Sequence, residues 1–272
     1  PQLHPAKIKY PGPIVYIQTK NSSLKTTLSF LLLTLFLSSC TIIQTSEPMA
    51  QKPGLRLPDV FTDNLVLQRD AEVPVWGKAR PGAEVVVALG GREVLTTAGE
   101  SGDWRAKLPP LEAGGPYDLL VSAEGEQVEL QDVLVGDVWL ASGQSNMEWP
   151  VGWAKDAEAE IAAADWPEIR LLTIPKTAAA RPQANANTLG WRPASPETIG
   201  DFSAVAYYFG RELHRVLDVP VGLIDASWGG APMESYTPLE ALESSDTFDF
   251  AVDAFEQWRD QHDNPEAFAQ YE

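Results

Sequence analysis

Two short stretches concentrate the residue types that chemistry needs. The first is Ser142-Gly143-Gln144-Ser145-Asn146-Met147-Glu148-Trp149, directly after the apolar run VLVGDVWLA at 133–141. Gly143 permits a tight exit from a strand. Ser145 would then lie at a strand-to-helix turn, its hydroxyl exposed and its own N–H near a helix N-terminus. A serine so placed can be nucleophile and oxyanion donor at once. The Gly-x-Ser-x-Gly elbow is not formed, because Met147 holds the fifth position. Serines also cap helices, so the residues alone leave nucleophile and cap both open. The second stretch is Ser227-Trp228-Gly229-Gly230-Ala231-Pro232, just after Val221 to Asp225. Paired glycines let backbone N–H groups approach a ligand closely, or simply form a loop.

A base for Ser145 is not evident. The histidines are His4, His214 and His262. His214 stands beside Arg211 and Arg215 in a helical stretch and reads as part of a solvated face. His262, in Asp260-Gln261-His262-Asp263, has an acid two residues before it, but the stretch is charged and reads as exposed. No two histidines are close, which excludes His-Glu-x-x-His metal sites. A single cysteine, Cys40, excludes an internal disulfide and any Cys-x-x-Cys site. No metal or organic cofactor is implied. The net charge of -18 argues against a nucleic-acid surface. With 44% hydrophobic and 21% charged residues, wholesale disorder is excluded as well.

Both stretches must be held by a scaffold. Ligands of open α/β sheets bind beyond the carboxyl ends of strands, which is where these two fall. From Asp132 onward strand and helix signals alternate: strands at 133–141, 169–174 and 220–225, helices at 156–165 and 203–217. In the second helix Val205, Phe209, Leu213 and Val216 recur at helical spacing. That alternation predicts a mostly parallel sheet, whose strand at 133–141 is apolar enough to be covered on both faces. The tail, 239–272, is acidic and helix-leaning, with Phe248, Phe250, Phe255 and Trp258 for packing.

Residues 55–130 read differently, as short strands and turns without helix. Gly90-Gly91 separates two β-rich runs, a hairpin signal. Pro74 within Val73-Pro74-Val75-Trp76-Gly77 belongs at a sheet edge. Trp104 to Leu108 alternates, and Gly114-Gly115-Pro116 fences a strand at 117–122. The spacing predicts an N-terminal all-β sandwich over 55–131, followed by an α/β domain over 132–272. Two domains suit 272 residues.

Residues 1–54 read as processing signal and tether. Lys20 and Lys25 precede the apolar run LSFLLLTLFL at 28–37, which suits a secretory signal. Leu37-Ser38-Ser39-Cys40 resembles the lipobox of bacterial lipoproteins, so Cys40 is the expected lipidation site, and residues 41–53 are its tether. Residues 1–19 read as an over-extended frame before a start near Lys20. The expected location is that of an exported bacterial lipoprotein, anchored to a membrane in the periplasm or at the cell surface.

Together these motifs resemble the sialate O-acetylesterase family of SGNH-type serine hydrolases. The resemblance rests on Phe61-Thr62-Asp63-Asn64-Leu65-Val66-Leu67-Gln68-Arg69, Pro74-Val75-Trp76-Gly77, and Asp132 to Trp139 leading into Gly143-Gln144-Ser145-Asn146-Met147-Glu148-Trp149. It extends through 202–213, 220–224 and Ser227-Trp228-Gly229-Gly230. It implies a three-layer SGNH-type esterase domain, incomplete at its C-terminus here, in which Ser145 attacks an acetyl ester on a sugar and forms an acetyl-enzyme. It also implies that the N–H groups of Ser145 and of Gly229 or Gly230 face the oxyanion, while Gln144 and Asn146 shape or line the turn. The family's later oxyanion Asn, and its activating Asp and His, have no counterpart before Glu272, so the 272 residues alone are expected to be inactive. The implied partner is an O-acetylated sugar such as a sialic acid, contacted by Trp149 and Trp228; Trp153 is a further stacking candidate. Arg181 and Arg192 are candidates for a sialic acid carboxylate. Two other readings compete. One is an acetylxylan or other polysaccharide deacetylase of the same superfamily. The other is a non-catalytic, glycan-binding surface lipoprotein.

Overall fold

The computed structural model describes residues 54–262; the apolar run at 28–37, Cys40 and the tether lie outside the described residues. Six strands come first: β1 (Val66–Gln68), β2 (Val73–Lys78), β3 (Glu84–Leu89), β4 (Arg92–Thr97), β5 (Asp103–Leu108) and β6 (Gly114–Ala123). The eighteen-residue β7 (Glu126–Gly143) is next. Then come α1 (Ser145–Glu148), α2 (Ala157–Ala162), β8 (Trp166–Thr173), β9 (Arg192–Ala194), α3 (Ala204–Leu217), β10 (Val221–Ser227), α4 (Leu239–Glu243) and α5 (Asp249–His262). One mixed sheet runs β4-β3-β6-β7-β10-β8-β9, with β1 also on β7, and β2 and β5 form a separate pair. The fold is therefore mixed α/β.

The turns match the residues that build them. Gly90 and Gly91, at φ 55° and 74°, close the β3–β4 hairpin, since a two-residue turn of this hand needs positive φ at both positions. Pro74 sits in a two-stranded sheet, where each strand has an open edge. Inward residues of β2 and β5 (Val75, Trp104, Leu108) share one apolar cluster with those of β3 and β6 (Val85, Val87, Leu119, Val121). Gly114-Gly115-Pro116 begins β6 rather than fencing it.

The boundary expected at 131/132 falls inside β7. Between the pairs Leu119–Leu130 and Tyr117–Val133, β7 carries one extra residue, and Asp132 there has φ 55°. This bulge bends the strand and lets one strand serve antiparallel β6 first and parallel β10 afterwards. Arg170 of β8, 3% exposed, locks the bulge. Its guanidinium donates to both Asp132 carboxylate oxygens at 2.9 and 3.0 Å, to Asn64 Oδ1 at 2.9 Å and to the Pro167 carbonyl at 2.6 Å. The loop before β9 is fastened to the chain's first described segment, where the Asp59 carboxylate accepts from the amides of Ala186 and Thr188 at 3.0 and 2.9 Å. The two sequence blocks are thus interlocked. Arg170→Ala removes a buried, bidentate, charge-assisted set of bonds, so we expect a loss of about 3 kcal/mol. Urea unfolding checks this: a loss of under about 1 kcal/mol would show the lock to be dispensable.

Two packing expectations are corrected. In α3 the face buried against β10 and β8 is Ala204, Ala206, Tyr207 and Gly210, whereas Val205, Phe209 and Val216 are 50%, 43% and 70% exposed. The reason is close approach: a Cβ on Gly210 would lie 2.6 Å from Leu223 Cδ1, so small residues seat the helix and the bulkier apolar row turns outward. Likewise β7 is fully covered only at 133–136; beyond it, Trp139 and Leu140 are largely exposed. From Asp137 onward its one strand neighbour among the described residues is β10. The tail's aromatics do not build a core either. Helix α5 buries no residue, and Phe255, Trp258 and His262 stack along its surface.

Candidate active site

The parallel register brings three strand ends level. Asp225 of β10 stands opposite Ala141 of β7 and Thr173 of β8. The carboxyl ends of the three strands therefore open onto one lip: Ser145 just after β7, Lys176 just after β8, Ser227 at the end of β10. These residues line a cavity of about 610 Å³ together with Glu148, Trp149, Trp153, Asp201 and Asp225. The sheet's geometry, rather than any local motif, is what gathers them.

Ser145 is exposed and opens α1, with Gln144 as the preceding cap residue. The Gln144 carbonyl accepts from the Met147 and Glu148 amides at 2.9 and 3.1 Å. The helix therefore does not consume the amides of Ser145 and Asn146, as is general for a first turn. Gly143, at φ 138°, makes the exit from β7. Its carbonyl accepts from the Trp228 amide at 2.9 Å and the Tyr236 hydroxyl at 2.6 Å, which ties the two glycine-bearing turns together. The end of α1 is held by α3: Ser203 Oγ donates to the Met147 carbonyl at 2.5 Å, and the Ala204 amide donates to the Trp149 carbonyl at 2.8 Å.

The amide of Gly229 is engaged. It donates to a carboxylate oxygen of Glu148, whose other oxygen accepts from Lys176 Nζ. Gly229 thus holds the turn of Ser145 through Glu148, instead of presenting an open N–H as the sequence suggested. A Cβ on Gly229 would lie in ordinary contact with Ser145 Cα, at 3.6 Å, and would displace the Glu148 carboxylate that the Gly229 amide holds. Gly230, at φ 82°, faces open space. The Lys176 ammonium holds the Glu148 carboxyl below its ordinary 4.5, with the Gly229 amide acting in the same direction. Asp225 is 7% exposed, and burial pushes its carboxyl above the ordinary 3.8, partly offset by the Ser227 hydroxyl and amide.

Of the residues singled out from sequence, Ser145, Trp149 and Trp153 line the cavity; Gln144 and Asn146 flank Ser145 in the turn, while Trp228, Gly229 and Gly230 are not among the lining residues. Neither Arg181 nor Arg192 lines it. His214 Nδ1 lies 2.8 Å from the Val219 carbonyl and His262 Nδ1 lies 2.7 Å from the Trp258 carbonyl, so neither faces Ser145. Sequence reasoning missed Lys176, Asp225 and the role of Glu148. The strand-end rule pointed to the residues just past Thr173, but the partner of Lys176 lies 28 positions away and is found only by folding.

No family model matches the chain. Over 210 residues, 70% of its length, it is 34% identical to a sialate O-acetylesterase of Pongo abelii and 33% identical to one of Homo sapiens. It spans about 40% of the length of those relatives. The crystal structure of a carbohydrate acetylesterase from Xanthomonas citri is similar with a TM-score of 0.67 at 40% identity, covering 69% of this chain and 43% of that one. Over 70% of its length the chain is therefore related in sequence to proteins named sialate O-acetylesterase, and over 69% it shares the fold of a carbohydrate acetylesterase.

Proposed function

We propose that the complete gene product hydrolyses O-acetyl esters of sugars through an acetyl-serine intermediate at Ser145. The observation that carries this is the exposed Ser145 hydroxyl at the lip of β7, on the wall of a cavity large enough for a sugar. In the reaction Ser145 Oγ bonds to the acetyl carbonyl carbon while a base takes its proton. The sugar oxygen leaves with that proton, and water then releases acetate by the reverse sequence. The Ser145 amide is the local oxyanion donor in this reading. Among the described residues, neither His214 nor His262 lines the cavity with Ser145. In the finer architecture we favour, β1 to β6 form a sandwich-like unit and the rest an SGNH-type layered domain.

A fluorophosphonate probe tests the chemistry. It should label Ser145 in the complete gene product, with acetate released from acetylated sugars. An unlabelled Ser145 in folded, soluble protein would sink the reading and favour a glycan-binding role. We propose also that Cys40 carries lipid and anchors the exported protein to a membrane, where two or more acyl chains give durable attachment. Radiolabelled palmitate should be incorporated and the label lost in Cys40→Ser; equal labelling of both forms would refute it.

A further inference from the structure

Resting on the esterase reading above, we infer that this cavity seats an uncharged sugar, its ring stacked on the indole of Trp153 beside Trp149, and disfavours a sialic acid. Two observations carry this. The first is the aromatic pair. Trp149 and Trp153 are 49% and 70% exposed and meet edge to face at 5.4 Å, both on the wall that holds Ser145. Trp153 ends a tight turn whose backbone is pinned: the Val151 amide donates to Phe202 O at 2.9 Å and the Gly152 amide to Gly200 O at 2.8 Å. An exposed indole carried on a pinned backbone is a ready platform for the apolar C–H face of a pyranose.

The second observation is the charge of the wall. Glu148, Asp201 and Asp225 line the cavity against one base, Lys176, and the Lys176 ammonium is already bound by Glu148. Arg170, the buried cation of the neighbouring strand, is spent on Asp132 and Asn64. Among the described residues that line the cavity, a ligand carboxylate would meet three carboxylates and one cation that is already paired. Sugar hydroxyls, by contrast, are donors, and Asp201 offers them an exposed acceptor.

The test compares acetate release by the complete gene product from acetylated xylo-oligosaccharide, from 9-O-acetyl-N-acetylneuraminate and from the methyl ester of that sialate. The expected kcat/KM is at least ten-fold higher for the xylo-oligosaccharide than for the free sialate. Methyl-esterifying the sialate recovers part of the difference, and Trp153→Ala shrinks the xylo-oligosaccharide's advantage by raising its KM. Equal or better use of the free sialate overturns the inference while leaving the esterase reading intact, and so does an unchanged KM in Trp153→Ala. If none of the esters is hydrolysed, the esterase reading fails. Binding then decides the inference through tryptophan fluorescence of the Ser145→Ala protein. Quenching by xylo-oligosaccharide, absent with N-acetylneuraminate and lost on adding Trp153→Ala, upholds it; any other pattern overturns it.

Discussion

Replacing Ser145 by alanine in the complete gene product should lower kcat for acetylated sugars by about 10⁶-fold, because a nucleophile and its activating partners act as a unit and losing one loses the path. At 1.36 kcal/mol per decade this is about 8 kcal/mol of transition-state stabilisation. The fold should not suffer, since Ser145 is exposed and its side chain packs into no core cluster. A melting transition within about a degree of the parent, together with the kinetic loss, separates chemistry from stability. Retention of more than about a hundredth of the activity would move the nucleophile elsewhere. The 272 residues taken alone present no histidine toward Ser145 among the described residues.

The next largest effect is expected at Glu148, which the geometry makes a positioning residue. One carboxylate joins the turn after β7, the loop after β8 through Lys176 and the loop after β10 through Gly229. Glu148→Ala removes both ties and releases the loop packed on the Ser145 backbone. A shift of about 1 Å in a reacting group costs on the order of 10²-fold, and that is the loss expected in kcat, with KM moving less. Glu148→Gln keeps an acceptor for the Gly229 amide and should stay within about ten-fold of the parent. Equal losses in the two variants would mean that the carboxylate's charge, not its reach, matters. The pH dependence has a definite sign. The folded protein holds Glu148 below its ordinary 4.5, so its contribution to stability is full above that pH and is lost as pH falls through the depressed value. Asp225 has the opposite sign. Burial holds it above its ordinary 3.8, so its stabilising share is present below that pH and is lost as pH rises through the raised value. Thermal scans of Glu148→Gln and Asp225→Asn between pH 3 and 7 should therefore diverge from the parent in opposite directions.

Local chemistry was legible because it is local. Gly90-Gly91 demands a hairpin, the helical spacing over 203–217 matches α3, and the apolar run at 133–141 belongs to a strand ending just before Ser145. The face on which α3 packs was not legible. Periodicity marks where apolar residues align, but Gly210 and the alanines let backbone and sheet come closer than the larger row would allow. The bulge at Asp132 was hidden for a related reason, since composition changes there while one strand carries straight through it.

By itself, then, the amino-acid sequence determined the identity of the elements, the turn that exposes Ser145 and the acidic balance of the chain. Only the tertiary structure decided that Glu148 would claim the Gly229 amide and Lys176, that Arg170 would lock Asp132, and that Trp149 and Trp153 would share a wall with Ser145. The physical reason is distance along the chain. Hydrogen bonds and ring contacts act over a few ångströms, and partners 28, 38 or 81 positions apart come within reach only when parallel strands align their ends.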